Sequence, residues 1–257
     1  KNHRGEIPLI GGISIFFSCS ISFFLINYSP EIKIIFLISM ILLIIGTFDD
    51  KFNISIITRF FFQSIACLIL IGFNLTINDL GYLHNDFDFN LYGFGVLLTF
   101  ISVIGFTNAV NFMDGLDGLA SGIILNALFG ILIFSFISGN TSNLEFVIIL
   151  IGLIIVFLIS NFGIILKKSF LGDSGSTFLG FTVAFLLVYY TQGSEKNFHP
   201  VLAVWCVAIP IFDLVTVFIR RIYNGINPFK PDKRHLHYLL IQKGFSRNFS
   251  SFILVLT

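Results

Sequence analysis

Apolar residues run along this chain in long blocks broken by short polar stretches, and the block lengths predict the architecture. Blocks long enough to cross about 30 Å of hydrocarbon as helix lie at residues 10–28, 32–48, 59–77, 94–107, 119–137, 144–162, 176–191 and 201–219, with a ninth beginning near Phe249. The pattern therefore predicts an all-α integral membrane protein, a polytopic helical bundle with eight complete spans and a partial one. Only the segment 78–93 leaves two readings open, a short hairpin or a solvated loop carrying Asp79, Asp86 and Asp88.

The polar interruptions fall into two alternating classes. Those at 29–31, 78–93, 138–143 and 193–199 are nearly free of basic residues: of the 15 Lys and Arg residues, only Lys33 and Lys196 lie on that side. The other class begins with the Lys1–Arg4 terminus and continues through 46–59, 108–118, 167–176 and 220–247. The excess of positive charge in short loops marks the cytoplasmic side, so the second class is expected in the cytoplasm. Four polar clusters distant in sequence then emerge on one face, where they can meet in one cleft.

Composition supports the membrane assignment. With 56% hydrophobic and 11% charged residues, the 257-residue chain is too apolar to cover itself with a polar surface. A formal net charge of +1 gives no reason to expect a nucleic-acid partner. Cys19, Cys67 and Cys206 all lie within apolar blocks and form no C-x-x-C, so they read as reduced packing residues. The chain starts at Lys1 and stops at Thr257 inside an apolar stretch; both ends read as truncations of one membrane domain spanning residues 1–257.

The densest chemistry is in 108–118, Asn-Ala-Val-Asn-Phe-Met-Asp-Gly-Leu-Asp-Gly. Asn108, Asn111, Asp114 and Asp117 are three residues apart at the end of an apolar block, where polar groups are costly unless they face water, a metal or a charged ligand. Steps of three drift around a helix, so a straight helix cannot aim all four at one point. Asn108 and Asn111 are expected on a last helical turn, and the two aspartates where Gly115 and Gly118 release the backbone.

Asp49-Asp50 ends the second block. Adjacent carboxylates repel unless a cation neutralises them; a Mg²⁺ ion bridging a diphosphate, a general base, and an exposed interfacial pair are all compatible with the pair. Arg59 either reaches a phosphate or snorkels to the interface. Asp173, in Leu171-Gly-Asp-Ser-Gly-Ser176, opens the seventh block, where it serves either as a helix cap or as the holder of a cation that bridges to phosphate. Lys167 and Lys168 just before it read as interfacial anchors. The loop 220–247 concentrates Lys230, Lys233, Arg234, His235 and His237, a group suited to a diphosphate or to anionic lipid. Asp213, inside the eighth block, needs a partner and is expected to be structural.

Together these stretches resemble the polyprenyl-phosphate N-acetylhexosamine-1-phosphate transferases, in their WecA-like branch rather than the branch of peptidoglycan synthesis. The resemblance covers nearly the whole chain. It is carried by Pro8-Leu-Ile-Gly-Gly12, Asp49-Asp50 with Arg59 and Gln63, residues 108–118, residues 171–180, and Pro228-Phe-Lys-Pro-Asp-Lys-Arg-His-Leu-His237. One departure is Tyr238, where the family pattern has a further histidine. The resemblance implies transfer of a HexNAc-1-phosphate, in the first instance GlcNAc-1-phosphate, from a UDP-sugar to undecaprenyl phosphate with release of UMP, the first membrane step of a cell-envelope polysaccharide. It implies Mg²⁺, or Mn²⁺, held by Asp173 with Asn111, and catalytic roles for Asp49, Asp50 and Asp173. It further implies substrate contacts from Asn108, Asn111, Asp114, Asp117, Arg59, Arg234, His235 and His237. About eleven spans are expected in the intact protein, and a homodimer is compatible with it. The competing class is a transporter with broken helices, which would place its acids near mid-span rather than at span ends.

Overall fold

The computed structural model describes residues 7–82, 88–193, 196–227 and 235–256. The helices are α1 (Gly11–Leu25), α2 (Pro30–Phe52), α3 (Ile56–Gly72), α4 (Phe94–Met113), α5 (Leu119–Ser138), α6 (Glu145–Asn161), α7 (Gly172–Thr191), α8 (Pro200–Cys206), α9 (Ala208–Tyr223), α10 (Leu236–Gln242) and α11 (Arg247–Leu256). The molecule is a polytopic helical membrane protein, as the apolar blocks predict. Of the two readings of the 78–93 connection the hairpin is the one found, a small antiparallel pair appended to the all-α bundle, β1 (Asp79–Tyr82) and β2 (Asp88–Asn90), with Asp79 opposite Asn90 and Tyr82 opposite Asp88.

Eight full spans are more than helix length and composition alone establish. Among the described residues four helices, α2, α4, α5 and α7, are long and apolar enough to cross a membrane, or five if α8 and α9 form one broken span. The predicted block 201–219 is that broken element: its two halves meet at Val207 with a 74° bend. Helices α1, α3 and α6 are apolar but shorter, at 15, 17 and 17 residues. Conversely, α4 and α7 run beyond the predicted blocks 94–107 and 176–191, to Met113 and back to Gly172. Their polar ends stay helical because partners on other helices satisfy the side chains, which an apolar-run criterion does not register.

Helix α7 is the axis of the bundle and is buried along nearly its whole length. In lipid, hydrocarbon burial gives helices little reason to associate, and close backbone packing and interhelical hydrogen bonds decide the arrangement. Small residues provide that packing here. A Cβ on Gly12 would stand 2.2 Å from the Gly175 Cα, and one on Gly46 2.3 Å from the Ser174 Cα, so α1 and α2 each meet the start of α7 backbone to backbone. The segment before α1 completes the junction: Phe170 N–H donates to the Pro8 carbonyl at 3.0 Å, and Gly11 N–H to the Phe170 carbonyl at 3.0 Å. Further along, Phe178, Phe181 and Phe185 fill the centre with Phe16, Phe36 and Phe146.

The two ends of the bundle differ as the loop classes predict. At one end, Tyr189 hydroxyl lies 3.2 Å from Ser29 Oγ and accepts from Asn143 Nδ2 at 3.0 Å, while Gln192 Oε1 accepts from Asn78 N at 2.8 Å. At the other end the C-termini of α2 and α4 and the N-termini of α3 and α7 come together. A small satellite core of Met113, Leu116, Leu119, Ile123 and Leu254 ties α11 to α5 beside that second end.

Candidate active site

Helix α2 ends where Asn53 takes a left-handed conformation, φ 49°, and its N–H closes on the Asp49 carbonyl. That termination leaves Asp49 and Asp50 beside the α7 N-terminus. Asp50 spends its carboxylate there: Oδ1 accepts from Asp173 N at 2.8 Å and Oδ2 from Ser174 N at 3.1 Å. It acts as a cap supplied from another helix, satisfying two N–H groups that a helix start leaves open. Asp49, buried, pairs with Arg59: its Oδ2 lies 2.8 Å from Arg59 Nη1 without hydrogen-bond alignment. Ser55 caps α3 through Thr58 N at 3.1 Å and sets Arg59 in the first turn, aimed at Asp49 rather than free to snorkel.

The 108–118 stretch divides as expected. Asn108 and Asn111 sit on the last turns of α4, Asp114 is its C-cap residue, and Asp117 follows in the turn to α5. Asn108 Nδ2 donates to Gln63 Oε1 at 2.8 Å, joining α4 to α3. Asn111 Nδ2 donates to Asp173 Oδ1 at 2.8 Å and to Ser176 Oγ at 2.9 Å, joining α4 to α7. Asp117 turns away from this group and pairs with Lys168 at 2.6 Å, so Lys168, expected as an interfacial anchor, is a partner of the turn. Gly118, at φ +73°, is restricted to glycine both by its backbone conformation and by the Phe162 ring, 2.5 Å from where a Cβ would stand.

Three features of the site escaped the sequence reading. Asn161, at the end of α6, accepts from Gly118 N at 2.8 Å and donates to the Ser169 carbonyl at 2.9 Å, bracing the Asp117 turn against the approach to α7. A lone carboxamide closing an otherwise apolar block was the available signal. The second is Ser176, the further acceptor of Asn111. The third is the way that Asp213 binds the histidine loop. Asp213 Oδ2 lies 2.7 Å from His235 Nδ1 and Asp213 Oδ1 accepts from Leu236 N at 2.8 Å, both side chains being buried. Asp213 thus has the structural partner expected of it.

His237 is fully buried, and neither ring nitrogen has a hydrogen-bond partner. Its ring is parallel to that of His235, 6.1 Å away, and 4.2 Å from that of Tyr238. Burial, reinforced by the neighbouring His235, lowers its pKa to about 4, so it is neutral near neutral pH. Arg234, Lys230 and Lys233 lie outside the described residues.

Arg59, Asn108, Asn111, Asp114, His235 and Tyr238 line a cavity of about 570 Å³ between α3, α4 and α9. Most of its other walls are apolar, with Ile56, Phe60, Ile104, Leu214, Val215 and Phe218 among them, and Arg221 of α9 adds a second guanidinium. One compartment therefore offers a hydrocarbon surface and polar groups, with Asp173 reached through Asn111. Among the described residues no three His, Cys, Asp or Glu side chains form a ready metal cage. Mg²⁺ does not require one, since it commonly takes one or two protein oxygens and completes its shell with water and substrate phosphate. The carboxylate of Asp173 and the carbonyl oxygen of Asn111, whose nitrogen is the atom turned to Asp173, fit that chemistry.

Comparison with known proteins finds a family for the chain. The model of glycosyl transferase family 4 matches residues 32–191. The undecaprenyl-phosphate alpha-N-acetylglucosaminyl 1-phosphate transferase of Escherichia coli (strain K12) is 35% identical over 259 residues, 99% of this chain and 70% of that protein. Proteins of the same name from Salmonella typhi and Haemophilus influenzae are 36% and 34% identical, each over 99% of this chain and over 70% and 73% of their own lengths.

Proposed function

The chain belongs to glycosyl transferase family 4, and from that premise we propose that it transfers GlcNAc-1-phosphate from UDP-GlcNAc to undecaprenyl phosphate. A phosphate oxygen of the lipid attacks the phosphorus that carries the sugar. The bond between the two donor phosphates breaks, leaving UMP and undecaprenyl-diphospho-GlcNAc. The observation that carries this reading is the mixed cavity: Leu214, Val215, Phe218, Ile56 and Phe60 line one space with Arg59, Asn108, Asn111, Arg221 and His235. A lipid phosphate needs that combination of greasy wall and charged groups.

Phosphoryl transfer depends on positioning and charge neutralisation more than on covalent help from the protein. A phosphate monoester is largely ionised near neutral pH, so the acceptor needs orientation rather than a strong base. In this reading Arg59 holds phosphate oxygens, the histidine loop steadies the sugar, whose hydroxyls can donate to an imidazole lone pair, and Asp114 and Asp117 mark the nucleotide side. Asp49 controls the direction of Arg59, and Asp50 keeps the α7 N-terminus, and with it Asp173, in place. Mg²⁺, or Mn²⁺ in its stead, would be held by Asp173 and Asn111, and when bound it would neutralise charge on the diphosphate. The basic loops set this site on the cytoplasmic side of a bacterial plasma membrane by the positive-inside rule. A carrier is disfavoured because Asp49, Asp50, Asp114 and Asp173 all sit at helix ends, whereas an alternating-access path needs them near the middle of the bilayer.

The test is UMP release by the full-length protein in detergent with undecaprenyl phosphate, Mg²⁺ and a panel of UDP-HexNAc donors. Release from UDP-GlcNAc that requires both lipid and metal is expected. A folded protein that releases UMP from none of the donors would reject the reading.

A further inference from the structure

We infer that Asp213 is a positioning residue for the transfer reaction: it fixes the tautomer of His235, so that Nδ1 carries the proton and the Nε2 lone pair serves the ligand in the cavity. The inference rests on the transferase reading for its functional half and on geometry alone for the tautomer.

Two separate contacts make the arrangement. Asp213 lies on α9, one of the helices that wall the cavity, and His235 immediately precedes α10. Oδ2 meets His235 Nδ1 at 2.7 Å, while Oδ1 accepts the Leu236 backbone N–H at 2.8 Å. One carboxylate thus clamps both the ring and the chain that carries it. An imidazole is a stronger base than a carboxylate, and an ionised carboxylate can only accept. The shared proton therefore belongs on Nδ1, and Nε2 remains as the ring nitrogen for the cavity that His235 lines. Phe112 fixes the ring plane from one side, at 5.2 Å and 31°. Burial adds weight: the side chains of His235 and Asp213 are 7% and 5% exposed, so water offers the ring little alternative partnership. The consequence for mechanism is that His235 enters the reaction with one defined face and a fixed acceptor atom, instead of a mixture of tautomers.

The experiment takes the full-length protein in detergent with ¹⁵N-labelled histidine, assigns His235 by its loss in His235→Gln, and reads its ring-nitrogen shifts. Wild type is expected to show Nδ1 protonated. Asp213→Asn keeps an oxygen for Leu236 N–H but turns an amide nitrogen toward Nδ1, and is expected to move the proton to Nε2. Alongside that switch kcat/KM should fall roughly 10–100-fold, the usual loss when the group orienting a functional imidazole is removed. Asp213→Asn combined with His235→Gln should be no slower than His235→Gln alone, whereas a merely structural aspartate would add its own loss. Protonation of His235 at Nε2 in wild type overturns the inference without the need of any variant. Unchanged kcat/KM in Asp213→Asn despite a switched tautomer overturns its functional half. Wild-type protein that releases no UMP rejects the transferase reading, and the ring shifts still decide the tautomer.

Discussion

Asn111 donates its side-chain amide to Asp173 Oδ1 at 2.8 Å, across 62 residues of sequence, and this bond joins the α4 C-terminus to the α7 N-terminus at the centre of the site. It sets the direction of the carboxylate that is proposed to face the cation and the diphosphate. The first expectation concerns that carboxylate. Asp173→Asn removes the charge and turns one amide toward another, and transfer should fall roughly 10²–10³-fold, the usual loss for a preorganised electrostatic group, while the protein still inserts and folds. Near-normal UMP release from the variant would reject a metal or phosphate role for Asp173.

Asp50 should matter chiefly for stability. Asp50→Ala leaves the N–H groups of Asp173 and Ser174 without their acceptor, and losing a cap costs about 0.5–2 kcal/mol. Asp50→Asn keeps one acceptor oxygen and should lose less. Thermal unfolding in detergent measures both; equal midpoints for wild type and Asp50→Ala would mean that the cap carries no weight.

Gly46 is where α2 touches α7. A Cβ there stands 2.3 Å from the Ser174 Cα, a backbone atom that cannot swing aside. Gly46→Ala should therefore separate the helices, cost about 1–3 kcal/mol as overpacked sites do, and move Asp49 and Asp50 away from Asp173. Activity should fall with stability. A variant that folds as well as wild type and works as fast would show that the contact is loose.

His237 gives a dependence on pH. Its folded pKa of about 4 lies below the ordinary value of 6.5, so between these values the unfolded chain binds the proton and the folded one does not. Stability from the buried neutral ring is complete above about 6.5 and is lost as the pH falls toward 4. Hydrogen-exchange protection of the α10 amides, taken relative to the intrinsic rate at each pH, should fall as the pH drops across that window in wild type, and less so in His237→Asn. Identical profiles for the two proteins would locate the titration elsewhere.

Some of this was readable without coordinates because it rests on local physics. A residue's apolar neighbours in sequence decide whether the segment enters the bilayer, and short basic loops decide the side from which it emerges. The helix break after Asn111 followed from the glycines and from the drift of three-residue steps, and the need for a partner at Asp213 followed from the cost of a buried charge. The course of the helices was less legible, because a run of apolar residues does not register shape or long-range partners: the run 201–219 conceals a 74° bend at Val207, and α4 and α7 extend through polar residues that other helices satisfy.

The sequence by itself determined the membrane class, the alternation of loops, the family resemblance and nearly all the residue types at the site, because those depend on composition and order along the chain. Only the tertiary structure decided how the residues share the work. That Asp50 caps α7, Asp49 takes Arg59, Asp117 takes Lys168 and Asp213 takes His235 follows from which helix ends meet. The meeting of α1 and α2 with α7, for one, is set by backbone contacts at Gly12, Gly46 and Gly175 between segments far apart in sequence. Carboxylates of equal intrinsic chemistry acquire different tasks through the donors that packing brings within 3 Å of them, and that information is not local to any stretch of the chain.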